Sequence, residues 1–103
     1  MRICAEKRGG TLYVSVSGEL DEHNAARARI EADKLAESSV GKAVRAVFDL
    51  GSISFMDSTG IGFLIGRYKR FARFGIPMYV TNLTANTDKI LQMSGVYTVI
   101  PKI

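Results

Sequence analysis

The residues with the most chemical potential in this chain lie together in Phe55-Met56-Asp57-Ser58-Thr59-Gly60-Ile61-Gly62. An acid, two hydroxyls and two glycines follow an apolar strand and open a helix, which is where α/β folds place their sites. Asp57 and Ser58 suit the role of helix caps. A serine here also suits phosphorylation. The phosphoryl group would sit by free N–H groups and the positive end of the helix dipole, so the helix need not unfold. It would place about two negative charges beside Asp57, on a surface left nearly bare by Gly60 and Gly62. A partner docking there would meet repulsion and bulk. The cap and phosphorylation readings can hold together, and the spacing does not separate Ser58 from the adjacent hydroxyl of Thr59.

The helix that follows carries Ile61, Leu64, Ile65, Tyr68 and Ala72 on one apolar stripe, with Ser58 on its flank. Thr59, Phe63, Gly66 and Arg70 fall opposite, toward solvent. An exposed Phe63 is an anomaly that a partner surface would explain.

Three enzyme-like patterns fall short. Gly60-Ile61-Gly62-Phe63-Leu64-Ile65-Gly66 opens a helix after a strand, but its third glycine comes one position late for a dinucleotide turn, and no acid ends the next strand. A nucleophilic serine needs a base. The single histidine, His23, reads as a solvated residue at the start of the first helix. Asp49, near the end of a central strand, could act as a phosphoacceptor only within an acid cluster holding Mg²⁺. Glu19, Asp21 and Glu22 are the nearest acids in the pattern, and no partner lysine is recognisable after the last strand. No metal-ligand spacing is visible, and no cofactor is expected.

The elements that must position the Asp57 turn can be read in order. Ile3–Lys7 and Thr11–Ser17 form a hairpin about Gly9-Gly10, with Leu12, Val14 and Val16 alternating toward a core. Gly18-Glu19-Leu20-Asp21 breaks that alternation, and Asp21 is placed to cap a helix running to about Ser38. Ala25, Ala28, Ala32, Leu35 and Ala36 make its buried stripe, and their small size implies close packing. Ala43–Leu50 is a near-continuous apolar run suited to the middle of a sheet. A helix over Asp57–Phe74, a strand over Ile76–Leu83, a Thr84-capped helix to Ser94 and a short strand at Tyr97–Ile100 complete the order β-β-α-β-α-β-α-β. Strands alternating with helices imply a mainly parallel sheet with right-handed crossovers.

Composition bounds the rest. With 103 residues, 47% of them hydrophobic and 23% charged, the chain forms one domain over 1–103 rather than a disordered tail. One cysteine, Cys4, allows no internal disulfide and reads as an inert residue within a strand. No apolar run suits a membrane span and the N-terminus has no signal-peptide pattern, so a cytoplasmic protein is expected. The formal net charge of +4 is dispersed, with one concentration at Arg67, Lys69, Arg70 and Arg73. That reads as a solvated helix face and not as a nucleic-acid surface.

Gly18-Glu19-Leu20-Asp21, the run VFDLGSISFMDSTGIGFLIGRYKRF and Met93-Ser94-Gly95 resemble, in order and over nearly the whole chain, the STAS domain of anti-sigma factor antagonists, the sporulation type above all. The resemblance implies a regulatory switch rather than an enzyme. The unphosphorylated form would bind an anti-sigma factor that is itself a serine kinase, freeing a sigma factor. The kinase would phosphorylate Ser58 with ATP and so weaken binding, and a PP2C-type phosphatase would restore the active form. Asp57 matches the acid before the phosphorylated serine, and Asp21 the acid of a loop near the same surface. The binding face expected from resemblance and residues together is Asp21, Asp57, Ser58, Thr59, Gly60, Gly62 and Phe63. A STAS scaffold subunit and a small-molecule or nucleotide-binding STAS domain are the alternatives. Family members continue into a further helix, which this sequence lacks. An apolar sheet surface left uncovered by it would favour weak self-association over a strict monomer.

Overall fold

The computed structural model describes all residues, Met1–Ile103. Its sheet has four strands in the order β1-β2-β3-β4: β1 (Arg2–Arg8), β2 (Thr11–Leu20), β3 (Arg45–Met56) and β4 (Met78–Thr81). Gly9 and Gly10, both at positive φ, supply the two-residue turn between β1 and β2, which pair antiparallel. The pairs β2–β3 and β3–β4 are parallel. The helices are α1 (Ala25–Ser38), α2 (Ser58–Arg73) and α3 (Ala85–Ser94). The expected mixed, mainly parallel α/β architecture with an N-terminal hairpin is the one observed.

Both crossovers step the same way across the sheet, so right-handed connections bring α1 and α2 to one face. Strand parity agrees. Ala46, Phe48 and Leu50 of β3 join Leu12, Val14 and Val16 of β2 in a single core with Ala28, Ala32 and Ala36 of α1. Phe71 of α2 meets Phe48 edge-on at 5.8 Å between ring centroids, which pins the helix to the centre of the sheet. Leu91 of α3 enters the same core.

The opposite face carries no helix, and register aligns Glu6, Tyr13, Val47 and Tyr79 across it, with Cys4, Ser15, Asp49 and Thr81 in the next row. Val47 is buried between its aromatic neighbours and the other positions are mostly polar. This corrects the expectation of an apolar surface on the uncovered sheet, because mostly polar residues occupy it. Cys4 lies in β1 as expected, but is exposed rather than packed.

Several boundaries differ from the sequence reading: β3 runs on past the expected Leu50 to Met56, and β4 is shorter than Ile76–Leu83. β2 continues through Gly18 to Leu20, absorbing the broken alternation in register shifts at Ser15/Ser17 and Gly18/Glu19. α1 starts at Ala25 instead of at Asp21, whose Oδ1 accepts from the N–H groups of His23 and Asn24 and so closes a turn ahead of the helix. Tyr97–Ile100 is not a strand. Gly95, in the left-handed region, ends α3 and begins a 3₁₀ turn over Val96–Thr98, closed by Thr98 Oγ1 donating to the Gly95 carbonyl. The chain reaches β4 only at Lys102, through Val80 N–H donating to Pro101 O and Ile103 N–H donating to Val80 O.

Asp88 fastens this C-terminal segment, accepting from Tyr97 Oη at 2.5 Å and Lys102 Nζ at 3.0 Å. Those bonds, Tyr97's first, hold the Asp88 carboxyl below its ordinary value of 3.8, while burial and the neighbouring acid raise the Tyr97 hydroxyl. A carboxylate with a depressed folded pKa contributes stability above its unfolded value, and this is lost as pH falls through the folded one. Exchange of the Val80 amide, measured against its intrinsic rate, should therefore accelerate as pH falls below 3.8. In Asp88→Ala the acceleration should already be present at neutral pH.

Candidate functional site

The ends of β2 and β3 build the site. Leu20 pairs with Met56, so the residues that follow, Asp21 and Asp57, leave the sheet side by side. Asp57 is extended at φ −118° and caps α2, its Oδ1 accepting from Thr59 N–H at 2.9 Å. Its carbonyl accepts from Gly60 N–H at 3.0 Å and from Ile61 N–H at 3.4 Å. One residue thus engages three N–H groups of the first turn. The sequence reading left these groups free for a phosphoryl group; Asp57 occupies them, and the helix dipole remains as the local attraction.

Ser58 is the first residue of α2 and is exposed. The cap network beside it is carried by Asp57 alone. Around it lie the Asp21 turn, held by Asn24 Nδ2 donating to Glu19 O at 2.9 Å, and the exposed Glu22. The surroundings are acidic, so added negative charge at Ser58 would find no compensating cation among these residues.

Gly60 is buried, and a Cβ there would lie 2.5 Å from Met56 Cγ and 3.2 Å from the Leu20 carbonyl oxygen. Its absent side chain lets α2 start against the ends of both strands. Gly62 is exposed, with nothing within 4 Å of a built Cβ. The two glycines therefore respond oppositely to alanine. Gly60→Ala should destabilise by about 2 kcal/mol through overpacking. Gly62→Ala should stabilise by about 0.5–1 kcal/mol through helix propensity. Urea midpoints of the two variants test this directly.

Phe63 is buried, correcting its expected exposure. The stripe drawn from Ile61, Leu64, Ile65, Tyr68 and Ala72 is rotated in the structure: Gly60, Phe63, Leu64, Arg67 and Phe71 are the buried positions, and Ala72 is exposed. The reason is that α2 buries against two surfaces, the sheet and α1. Between the helices runs an open groove of about 490 Å³, with Glu22, Ala25, Ala26 and Arg29 on one side and Thr59, Gly62, Phe63, Gly66 and Arg67 on the other. Both sets recur at three- and four-residue spacing, as residues along one helix flank must. Thr59 is half-buried at its Ser58 end.

Arg67 departs from the solvated basic face of the sequence reading. It is buried, its Nε 2.8 Å from Asp33 Oδ1 of α1 without hydrogen-bond alignment, its guanidinium 5.5 Å from the centroid of the Phe63 ring. Arg70 pairs with Glu37, leaving Lys69 and Arg73 as the exposed cations of that group. The aromatic exposed near the turn is Phe55, 48% accessible and two residues before Asp57. Its position inside a strand-like run hid it from a reading centred on the helix.

The remaining candidates are not brought together. Asp49 sits mid-strand, its Oδ1 accepting from Gly51 N–H and Asn82 Nδ2. No three His, Cys, Asp or Glu side chains cluster as a metal site would require. His23 is exposed in the turn before α1. No helix is long and apolar enough to cross a membrane.

Residues 2–103, nearly the whole chain, match the STAS domain family. The chain belongs to the STAS domain family. A curated relative, the anti-sigma F factor antagonist of Paenibacillus polymyxa, is 33% identical over 101 residues, spanning 98% of this chain and 85% of the relative. Among solved structures, the unphosphorylated anti-sigma factor antagonist SpoIIAA matches with a TM-score of 0.78 at 22% identity, over 99% of this chain and 88% of that one. The Bacillus cell fate determinant SpoIIAA in its phosphorylated form matches with a TM-score of 0.70 at 22% identity, over 99% and 91%. These two structures share the STAS fold seen here, the helix-backed sheet that ends in the Asp21 and Asp57 turns.

Proposed function

We propose that this STAS domain is an anti-sigma factor antagonist whose unphosphorylated form binds an anti-sigma factor serine kinase and frees a sigma factor. Phosphorylation of Ser58 switches it off, and a PP2C-type phosphatase resets it. The observation that carries this reading is the exposed Ser58 hydroxyl beside a self-contained Asp57 cap. The cap keeps the helix start intact whether or not the serine is modified. The kinship with an anti-sigma F factor antagonist supports the choice of partner, and a fold neighbour known in phosphorylated and unphosphorylated forms supports the choice of switch.

The docking face comprises the Asp21 turn, Asp57, Ser58, Thr59 and Gly62, with Phe55 as an added apolar contact. Gly60 and Phe63 shape it from beneath. In this reading the chain is the substrate of the partner's kinase activity. The test is a three-component assay with an anti-sigma factor kinase and its sigma factor. Adding the unphosphorylated chain should release the sigma factor, and adding ATP should reverse the release. Sigma factor that stays bound at every concentration of the chain would favour a scaffold or ligand-binding role.

A further inference from the structure

We propose that the free edge of β1 is a homodimer interface, on which a second copy of this chain pairs antiparallel with Cys4 opposite Cys4. β1 is the terminal strand of the sheet, and six of its seven residues are exposed, Ile3 alone being half-buried. The two-residue turn makes Arg8 and Thr11 a hydrogen-bonded pair, and antiparallel pairs alternate from there. Arg2, Cys4, Glu6 and Arg8 therefore direct their backbone groups at β2, while Ile3, Ala5 and Lys7 direct theirs outward.

A two-fold pairing must match outward residues with outward residues, which permits only alternate registers. Charge selects among them. The register centred on Cys4 sets Arg2 against Glu6 of the second copy, twice by symmetry, and Ile3 against its Ala5. Shifting the centre to Ala5 sets Arg2 against a second Arg8. Shifting it to Ile3 leaves Glu6 without a cation. The charges that would guard this edge against arbitrary pairing thus favour one arrangement. The Ile3–Ala5 pairs would supply on the order of four backbone hydrogen bonds. In the same register Cys4 occupies a non-hydrogen-bonded position, where opposed Cα atoms lie about 4.5 Å apart, within the range a disulfide spans. Glu6 is free to pair outward, because its contact with Arg8 is loose at 3.6 Å and both side chains are exposed.

This interface is the strand edge, not the uncovered sheet face, and it does not depend on the switch. Sedimentation equilibrium of the reduced full chain should show a concentration-dependent dimer that Ala5→Pro abolishes. Proline there removes an outward N–H and spares the ladder to β2. Should Ala5→Pro disturb the hairpin, Glu6→Arg should also abolish the dimer, and Arg2→Glu/Glu6→Arg should restore it. Under mild oxidation with diamide, Cys4 should cross-link at least roughly tenfold faster than a cysteine at the exposed position 93 in Cys4→Ser/Met93→Cys. A monomer at all concentrations, a dimer insensitive to these substitutions, or cross-linking no faster than through position 93 would each overturn the proposal.

Discussion

Ser58→Asp should weaken binding to the anti-sigma factor tenfold or more, about 1.4 kcal/mol, while leaving the fold and its stability nearly unchanged. The substitution sets a carboxylate next to Asp57, at the point where the Asp21 turn leaves the sheet beside it. A docking surface that tolerates the existing acids must desolvate one more, and like charges across an interface cost affinity. Stability should hold because Ser58 is exposed and the Asp57 carboxylate, not Ser58, satisfies Thr59 N–H. An acid in the first turn is also favourable to the helix dipole. Ser58→Ala should bind like the wild type and resist phosphorylation. Titration calorimetry of the two variants against the anti-sigma factor checks both. Equal affinities for wild type and Ser58→Asp would refute the electrostatic account of the switch.

Asp33→Ala should destabilise by about 3 kcal/mol, and Arg67→Met by clearly less, because the Asp33 it leaves unpaired keeps more access to solvent, 23% against 8%. The asymmetry follows from burial. The Arg67 side chain is 8% exposed, and its pKa is lowered chiefly by loss of solvent, with Arg29 and Arg70 adding repulsion and Asp33 opposing them. Removing Asp33 leaves a buried cation among like charges. Replacing Arg67 removes the buried charge and keeps an unbranched chain against Phe63. The pair also ties α1 to α2 along the groove, so Asp33→Ala should loosen the helices that flank the docking face. Urea midpoints give the answer, and equal losses in the two variants would contradict this picture of the pair.

Much of the framework was legible because local chemistry and global packing agree. Gly9-Gly10 can hardly be anything but a hairpin turn, and the alanines of α1 mark the face that lies against the sheet. The central strand announces itself in Ala46-Val47-Phe48, and Asp57 and Thr84 both cap the helices they precede. The errors arise where a residue answers to two surfaces. A helical wheel finds one stripe, but α2 packs on β3 and on α1, so Phe63 and Arg67 are buried on a flank that the wheel assigns to water. The signal for the second surface lay in charge, since Asp33 of α1 meets Arg67 of α2 across the two helices. Val96–Ile100 has strand-like composition, yet Gly95 turns the chain before pairing can begin. Ser58 is legible as an accessible hydroxyl, but its acidic surroundings depend on a register between β2 and β3 that one sequence does not display.

The most direct test of the switch is to incubate the protein with an anti-sigma factor kinase and ATP, then locate the modification by fragment mass spectrometry. The account predicts a single phosphoryl group on Ser58, with loss of binding in step with its appearance. An unmodified protein in the presence of an active kinase would contradict it, as would modification confined to Thr59, whose side chain lies half-buried at the end of the groove.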